Sequence, residues 1–165
     1  MGEGIFAGLL GALTIAVYFL LLDVASGRPL STPNALGAAL FIGEVPARGE
    51  PVQLMLVAVY TLLHGATFLI VGLAAAREVF TGTRIPGGTP WLRSLVLAGI
   101  LFVLFEVGSV VFGAFVEPTA QQVIGLWSVS AANLLAALAM ATLLRVRGDR
   151  FGLHPPGDTS SRRRR

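Results

Sequence analysis

Four long apolar runs, almost free of charge, constrain the fold of this chain more than any other feature of its sequence. The runs occupy residues 4–24, 52–76, 92–116 and 121–144. Each has about 20–25 residues, and an α-helix of that length, rising ~1.5 Å per residue, crosses a hydrocarbon core of ~30 Å. Strands of this length would need turn signals, which the runs lack. The sequence therefore predicts an all-α, four-helix transmembrane bundle.

The composition agrees with a membrane protein and excludes several kinds of chemistry. Of the 165 residues, 55% are hydrophobic and 13% are charged, whereas charged residues make up about 25% of a soluble domain. The chain has no cysteine, so disulfides, thiolate catalysis and cysteine-ligated zinc or iron–sulfur clusters are excluded. Its basic residues lie beside helix ends and at the C-terminus, where they set topology and contact anionic lipid. We therefore expect the lipid bilayer as a partner, and no nucleic acid.

The first apolar run could be either a spanning helix or a cleaved signal peptide. The residues before it include Glu3 but no basic side chain, and its apolar stretch exceeds the about 7–15 residues of a signal peptide. Asp23 would also lie beside a cleavage position after Ala25. We therefore interpret residues 4–24 as a retained span.

The distribution of arginine predicts the orientation of the helices. All twelve basic residues are arginine, and only Arg28 and Arg48 lie in the first and third loops. The other ten lie around the second loop or in the C-terminal segment. Because basic residues favour the cytoplasmic side, both termini are expected in the cytoplasm, with the protein a multi-pass component of the inner (plasma) membrane.

The first loop is too apolar to be a solvated connection. Residues 34–42 are almost entirely apolar and too few to span a bilayer. Ser31 or Thr32 could cap a short helix there, with Pro33 at its first helical position. We expect an interfacial or partly re-entrant helix that lies over the extracytoplasmic mouth of the bundle.

The third loop and the C-terminal segment differ from the first loop in character. Residues 117–119 are predicted to form a short turn between the third and fourth runs, and residues 148–165 have the composition of a disordered basic tail. Arg145, Arg147 and Arg150 are candidates for contact with lipid headgroups.

Each apolar run carries a polar side chain near its midpoint, where such a group costs free energy. These residues are Thr14, His64, Glu106 and Asn133. Helical spacing places Tyr60 on the face of His64, Ser109 on the face of Glu106, and Ser130 on the face of Asn133. We expect these faces to turn inward and to form one polar layer across the bundle.

His64 and Glu106 form the pair expected to matter most in that layer. An isolated carboxylate in hydrocarbon requires a proton or a partner, and His64 is the imidazole within the spans. The pair could be a site for a proton or cation. It could equally be a clamp that fixes helix register, contributing about 0.6–2 kcal/mol per hydrogen bond. We favour the clamp.

Asp23 and Arg28 lie five residues apart at the start of the first loop. They could gate the mouth of the bundle or bind a headgroup, but an interfacial pair that orients the loop is the simpler interpretation.

Small residues recur four apart in three of the runs, a spacing that permits close helix approach. The positions are Gly4, Gly8 and Ala12 in the first run, Ser109 and Gly113 in the third, and Ala132 and Ala136 in the fourth.

The sequence favours a protein without enzymatic activity. The chain has no Walker-type loop, no G-x-S-x-G and no H-E-x-x-H motif. One histidine and one glutamate within the spans are too few for a closed zinc site, which takes four ligands. A haem held by one histidine, or a site shared between subunits, stays open. We assign no catalytic residue, no metal site and no cofactor.

One segment of the first loop resembles a known group of proteins. Residues 23–37 contain the sequence Gly-Arg-Pro-Leu-Ser-Thr-Pro at positions 27–33. This segment is similar to a G-R-P-L-x-T-P loop in small bacterial inner membrane proteins with four spans, for which no activity is known. The resemblance covers about 15 residues and the general layout of the spans. It implies a bacterial inner membrane protein and assigns a function to no residue.

Three classes of function remain open from the sequence. The first, which we favour, is a structural or accessory subunit of a membrane complex, either a homo-oligomer or an assembly with another protein. The second is a conduit for protons, cations or a small solute centred on His64 and Glu106. The third is a membrane-embedded enzyme or cofactor-binding protein.

Overall fold

The computed structural model describes residues 2–47, 49–81, 89–115 and 125–150, and all of its regular structure there is helical. The helices are α1 (Gly2–Ala25), α2 (Ser31–Phe41), α3 (Leu54–Thr81), α4 (Pro90–Phe115) and α5 (Leu126–Arg150). Four of them, all except α2, are long and apolar enough to cross a membrane. The predicted four-helix transmembrane bundle is therefore confirmed for the described residues.

The last helix differs most from its predicted limits. It begins at Leu126, five residues after the predicted start, and Gly125 before it has a positive φ of 74°. It continues to Arg150 and so includes the first residues assigned to the tail. The predicted turn at 117–119 and the rest of the tail lie outside the described residues.

The helices pack in the order α3, α1, α5, α4. The first helix contacts both α3 and α5 along much of its length, and α4 makes its extensive contact with α5. The contact between α3 and α5 is smaller, and α2 packs on α3. Among the described residues, α1 and α5 are therefore the inner helices, and α3 and α4 lie on the two flanks.

Glycine permits the closest approach in the bundle, where α1 crosses α3. A Cβ atom added to Gly72 would collide with the backbone of Gly4 and Gly8, and one added to Gly8 would lie 2.8 Å from the Cα of Leu69. Lipid supplies no hydrophobic force between helices, so this backbone contact provides dispersion energy that larger side chains would prevent. Gly4, Gly8 and Ala12 are all buried, as the small-residue spacing predicted.

The interior of the bundle is filled by apolar side chains. The larger members of this core are Phe68, Leu101, Phe105, Met140 and Leu144. The rings of Phe68 and Phe105 lie 4.8 Å apart and connect α3 with α4. Large apolar side chains on the outer faces are exposed, Leu21 by 65% and Leu62 by 74%, as expected for surfaces that contact lipid.

The short helix α2 lies against the end of α3. A Cβ atom at Gly37 would be 2.7 Å from the carbonyl oxygen of Leu56, so the two backbones are in close contact. Ala39 is buried and packs against Phe112 of α4. The α2 helix therefore contacts both flanking helices at one end of the bundle.

The glycine contact between α1 and α3 predicts that Gly72→Ala destabilises the protein. Alanine favours a helix over glycine by about 1 kcal/mol, but the added methyl group would press on the backbone of α1 at a cost of about 1–3 kcal/mol. The matched control is Gly65→Ala on the same helix, because a Cβ there meets nothing within 4 Å. Reversible unfolding in mixed micelles should show a lower free energy of unfolding for Gly72→Ala and an unchanged or higher value for Gly65→Ala. Equal values for the two variants would contradict the described crossing.

Candidate functional site

A cluster of four polar side chains joins α4 to α5 within the predicted membrane. The Ser130 hydroxyl donates a hydrogen bond to Glu106 Oε2 (2.9 Å), and Asn133 Nδ2 donates to Glu106 Oε1 (2.9 Å). Asn133 Nδ2 also donates to the hydroxyl oxygen of Ser109 (3.0 Å). We refer to Glu106, Ser109, Ser130 and Asn133 as the carboxylate cluster.

Helical spacing explains why these four side chains meet. Glu106 and Ser109 are three residues apart on α4, and Ser130 and Asn133 are three residues apart on α5, so each pair shares one helix face. Glu106 and Asn133 each lie about one turn from the midpoint of their helix. The carboxylate cluster is therefore well inside the apolar part of both helices.

The carboxylate lies at the edge of the α4–α5 contact. Phe102 and Ser109, on one side of Glu106, are half-buried, as is Glu106 itself. On the other side, Val103 is 59% exposed and Val110 is 74% exposed. Glu106 thus separates the packed face of α4 from its lipid-facing surface.

His64 belongs to a different contact, between α3 and α1. Its Nε2 lies 3.4 Å from the carbonyl oxygen of Ala12. Its ring is stacked on Tyr60, with centroids 6.0 Å apart, and lies 4.8 Å from the ring of Phe68. This imidazole is half-buried among aromatic rings and one backbone acceptor.

The expected pairing of His64 with Glu106 is not made in the described structure. Each side chain has its own partners, and the rings of Phe68 and Phe105 stand where α3 meets α4. The reason is which helices supply the partners: His64 lies against the backbone of α1, whereas Glu106 is bonded by side chains of α5. Two local polar contacts replace the single layer predicted from depth alone.

Thr14 does not join either contact. Its hydroxyl donates to the carbonyl of Leu10 in its own helix (2.7 Å). Thr61 and Thr67 of α3 bond their own helix in the same way. The candidates for the predicted polar layer therefore fall into three sets. Glu106, Ser109 and Asn133 bond one another together with Ser130, and His64 stacks on Tyr60. Thr14 bonds its own helix.

Asp23, at the end of α1, holds the start of α2. This buried carboxylate accepts hydrogen bonds from the Thr32 backbone amide (2.8 Å), the Thr32 hydroxyl (2.7 Å) and the Ser31 hydroxyl (2.9 Å). Arg28 is exposed and donates its backbone amide to the Asp23 carbonyl, so the two residues meet through the main chain. Asp23 thus orients the first loop through the start of α2, and the expected partner Arg28 contributes only its backbone amide.

The predicted cap of the short helix was wrong. Ser31 and Thr32 lie inside α2, and the residue at the N-cap is Leu30, with a left-handed φ of 65° and no side-chain cap. The Asp23 carboxylate takes the place of the missing cap because it accepts the amide of Thr32.

Asn34 was missed in the sequence, although it performs a similar role for α3. Its side chain is buried, and its Oδ1 accepts a hydrogen bond from the Gln53 backbone amide (2.9 Å) just before α3 begins. The signal was weak, because an asparagine in an apolar stretch of a loop suggests a turn as readily as a tertiary contact.

The opposite end of the bundle carries an ion pair between its first and last helices. Arg147 Nη1 lies 2.9 Å from Glu3 Oε1, and its guanidinium lies 4.7 Å from the ring centroid of Phe6. Arg147 therefore contacts protein, whereas the sequence had offered it as a candidate for contact with lipid headgroups. Arg145 is exposed, and Arg150 ends α5.

No family model, no curated protein and no solved structure matches the chain. Within the described residues, no group of three or more histidine, aspartate or glutamate side chains could hold a metal ion. The fold and its contacts define an integral membrane protein in which four helices are able to span the bilayer.

The carboxylate cluster predicts that Asn133→Leu loosens the contact between α4 and α5. The change removes both hydrogen bonds donated by Nδ2 and should lower the free energy of unfolding by about 1–2 kcal/mol. The control is Thr14→Val, because the Thr14 hydroxyl bonds only its own helix. Unfolding in mixed micelles should leave the control within about 0.5 kcal/mol of the wild type. An effect of Thr14→Val as large as that of Asn133→Leu would contradict the assignment.

The role of Asp23 predicts that Asp23→Ala releases α2 without unfolding the bundle. Loss of a helix cap costs about 0.5–2 kcal/mol, so amide hydrogens of α2 should exchange roughly 2- to 30-fold faster. Hydrogen exchange read by mass spectrometry checks this, with Glu44→Ala as an exposed control in the same loop. Unchanged exchange in α2 would show that Asp23 does not hold it.

Proposed function

We propose that this chain is a structural or accessory subunit of a membrane complex, without catalytic activity of its own. The proposal rests on the observation that the polar groups of the spans bond neighbouring helices to each other. Glu106 and His64 serve separate helix pairs, and apolar side chains fill the space between them. A conduit centred on these two residues would need polar groups to line one continuous path, whereas this arrangement stabilises a scaffold.

The fourth helix supplies the surface through which such a subunit would bind a partner. Its extensive contact is with α5, while Val103, Val107 and Val110 are exposed. A Cβ atom added to Gly99 would meet nothing within 4 Å, in contrast to the crowded glycines of α1. A face of glycine and β-branched residues is shallow and permits close approach of another transmembrane helix.

The proposal includes a location and an orientation. The excess of arginine around the second loop and in the C-terminal segment supports cytoplasmic termini. The ion pair between Glu3 and Arg147 supports the same side for the start of α1 and the last turns of α5. The resemblance of the first loop supports a bacterial inner membrane.

The test is purification of the tagged chain from its native membrane in a mild detergent, followed by native mass spectrometry. We expect a partner chain in fixed stoichiometry. Gly99→Leu should remove this partner, because the added side chain fills the shallow face of α4, while the free space around Gly99 leaves the bundle folded.

The matched control is Gly65→Leu, which adds the same side chain at an equally open glycine on α3. This control should retain the partner, and thermal unfolding should show that both variants stay folded. A wild-type chain that is recovered alone with its lipids retained would contradict the proposal. Equal loss of the partner from both variants would contradict the assignment to α4.

A further inference from the structure

We propose that the carboxylate cluster is a binding site for one monovalent cation, either a proton or a sodium ion. The site consists of Glu106, Ser109, Ser130 and Asn133, at the edge of the α4–α5 contact. This inference goes beyond the accessory role and does not depend on it, since it concerns a ligand of the chain itself.

The distance from Glu106 to the nearest basic residues of α4 and α5 supports a cation site. A carboxylate inside hydrocarbon is unfavourable unless a positive charge neutralises it. The α5 helix has no ionisable side chain before Arg145, twelve residues beyond Asn133, and α2 has none. On α4, the nearest basic residue is Arg93, thirteen residues away, which is about 20 Å along a helix.

On α3, the titratable side chains in the middle of the helix, His64 and Tyr60, have partners other than Glu106. His64 and Tyr60 are stacked on each other, and His64 contacts Phe68, whose ring meets Phe105. The hydrogen bond of His64 goes to Ala12. The two neutral donors on Glu106, from Ser130 and Asn133, orient its carboxylate but bring no net charge.

Oxygen atoms of Glu106 and Ser109 surround the side-chain amide of Asn133. Asn133 Nδ2 lies between Glu106 Oε1 at 2.9 Å and the Ser109 oxygen at 3.0 Å. If the side-chain amide of Asn133 rotates so that its oxygen and nitrogen exchange places, Oδ1 takes the position of Nδ2. Three oxygen atoms, from Glu106, Ser109 and Asn133, could then face a cation. Carboxylate, hydroxyl and amide oxygens are ligands for hard cations.

A proton would use the same cluster in a different way. Bound to Oε2, it reverses the contact with Ser130, so that Glu106 donates to the Ser130 oxygen while Asn133 still donates to Oε1. In both forms, one positive charge neutralises the carboxylate. The exposed neighbours Val103 and Val110 leave the carboxylate reachable from the plane of the membrane.

The experiment is labelling of the intact protein with a hydrophobic carbodiimide, which adds to a protonated carboxyl group in an apolar setting. The purified chain in lipid nanodiscs is labelled across a pH series, with sodium chloride or choline chloride at equal ionic strength. Peptide mass spectrometry then measures the adduct on Glu106. The exposed Glu44 in the first loop should stay unlabelled and so reports whether the reagent remains selective for an apolar setting.

A sodium site predicts that sodium protects Glu106 and choline does not. At a sodium concentration ten times its dissociation constant, labelling should fall roughly tenfold by mass action. A proton site predicts that labelling depends on pH and is the same in both salts. In either case, Asn133→Leu should shift the sodium concentration or the pH at which labelling is halved.

Other results would overturn the proposal. One is an absence of adduct on Glu106 in every condition, and another is labelling that changes with neither pH nor sodium. A response of Asn133→Leu identical to that of the wild type would also overturn it, because the cluster would then not form the site. Should Asn133→Leu fail to fold, Ser109→Ala provides the comparison for sodium and Ser130→Ala the comparison for a proton, since each removes one hydroxyl partner with little change in volume.

Discussion

The close backbone contact between α1 and α3 is the interaction on which the rest of this bundle depends. Helices in lipid gain nothing from the hydrophobic effect when they associate, so they require short-range contact over a long surface. Gly8 and Gly72 permit that contact, and α1 also packs along α5. The α1 helix packs against α3 on one side and against α5 on the other, and α4 packs on α5. The position of α4 therefore depends on that of α1.

The same arrangement decides what the polar residues inside the membrane can do. With α1 and α5 as the inner helices, His64 faces the backbone of α1 and Glu106 faces the polar side chains of α5. The centre is left to Phe68, Phe105 and other apolar side chains. The polar groups thus hold pairs of helices together, and Glu106 combines this role with a position at a lipid-facing edge.

The fold could be predicted from the sequence because run length and charge are sufficient to identify a helix that crosses a bilayer. The short helix α2 was recognisable for a similar reason, since its apolar residues do not suit a solvated loop. The site was predicted only in part. Spacing along one helix correctly placed Glu106 with Ser109 and Ser130 with Asn133, because those relationships are local.

The remaining contacts depend on which helices are neighbours, and the depth of a residue does not determine that. His64 and Glu106 lie at similar depths but on helices that contact each other mainly through phenylalanine rings. The ion pair of Glu3 with Arg147 joins residues 144 positions apart and has no local signal. Asp23 was noticed, but its partners became clear only when Leu30, in a left-handed conformation, began α2 without a cap of its own.

Labelling from each side of a sealed membrane tests most directly whether the helices of this bundle cross the bilayer. The chain has no cysteine, so single substitutions at the exposed positions Gly2, Ala47 and Glu78 can be labelled with a membrane-impermeant maleimide. Four spanning helices predict that Gly2→Cys and Glu78→Cys react from one side and Ala47→Cys from the other. Reaction of all three from the same side would contradict a bundle that crosses the bilayer.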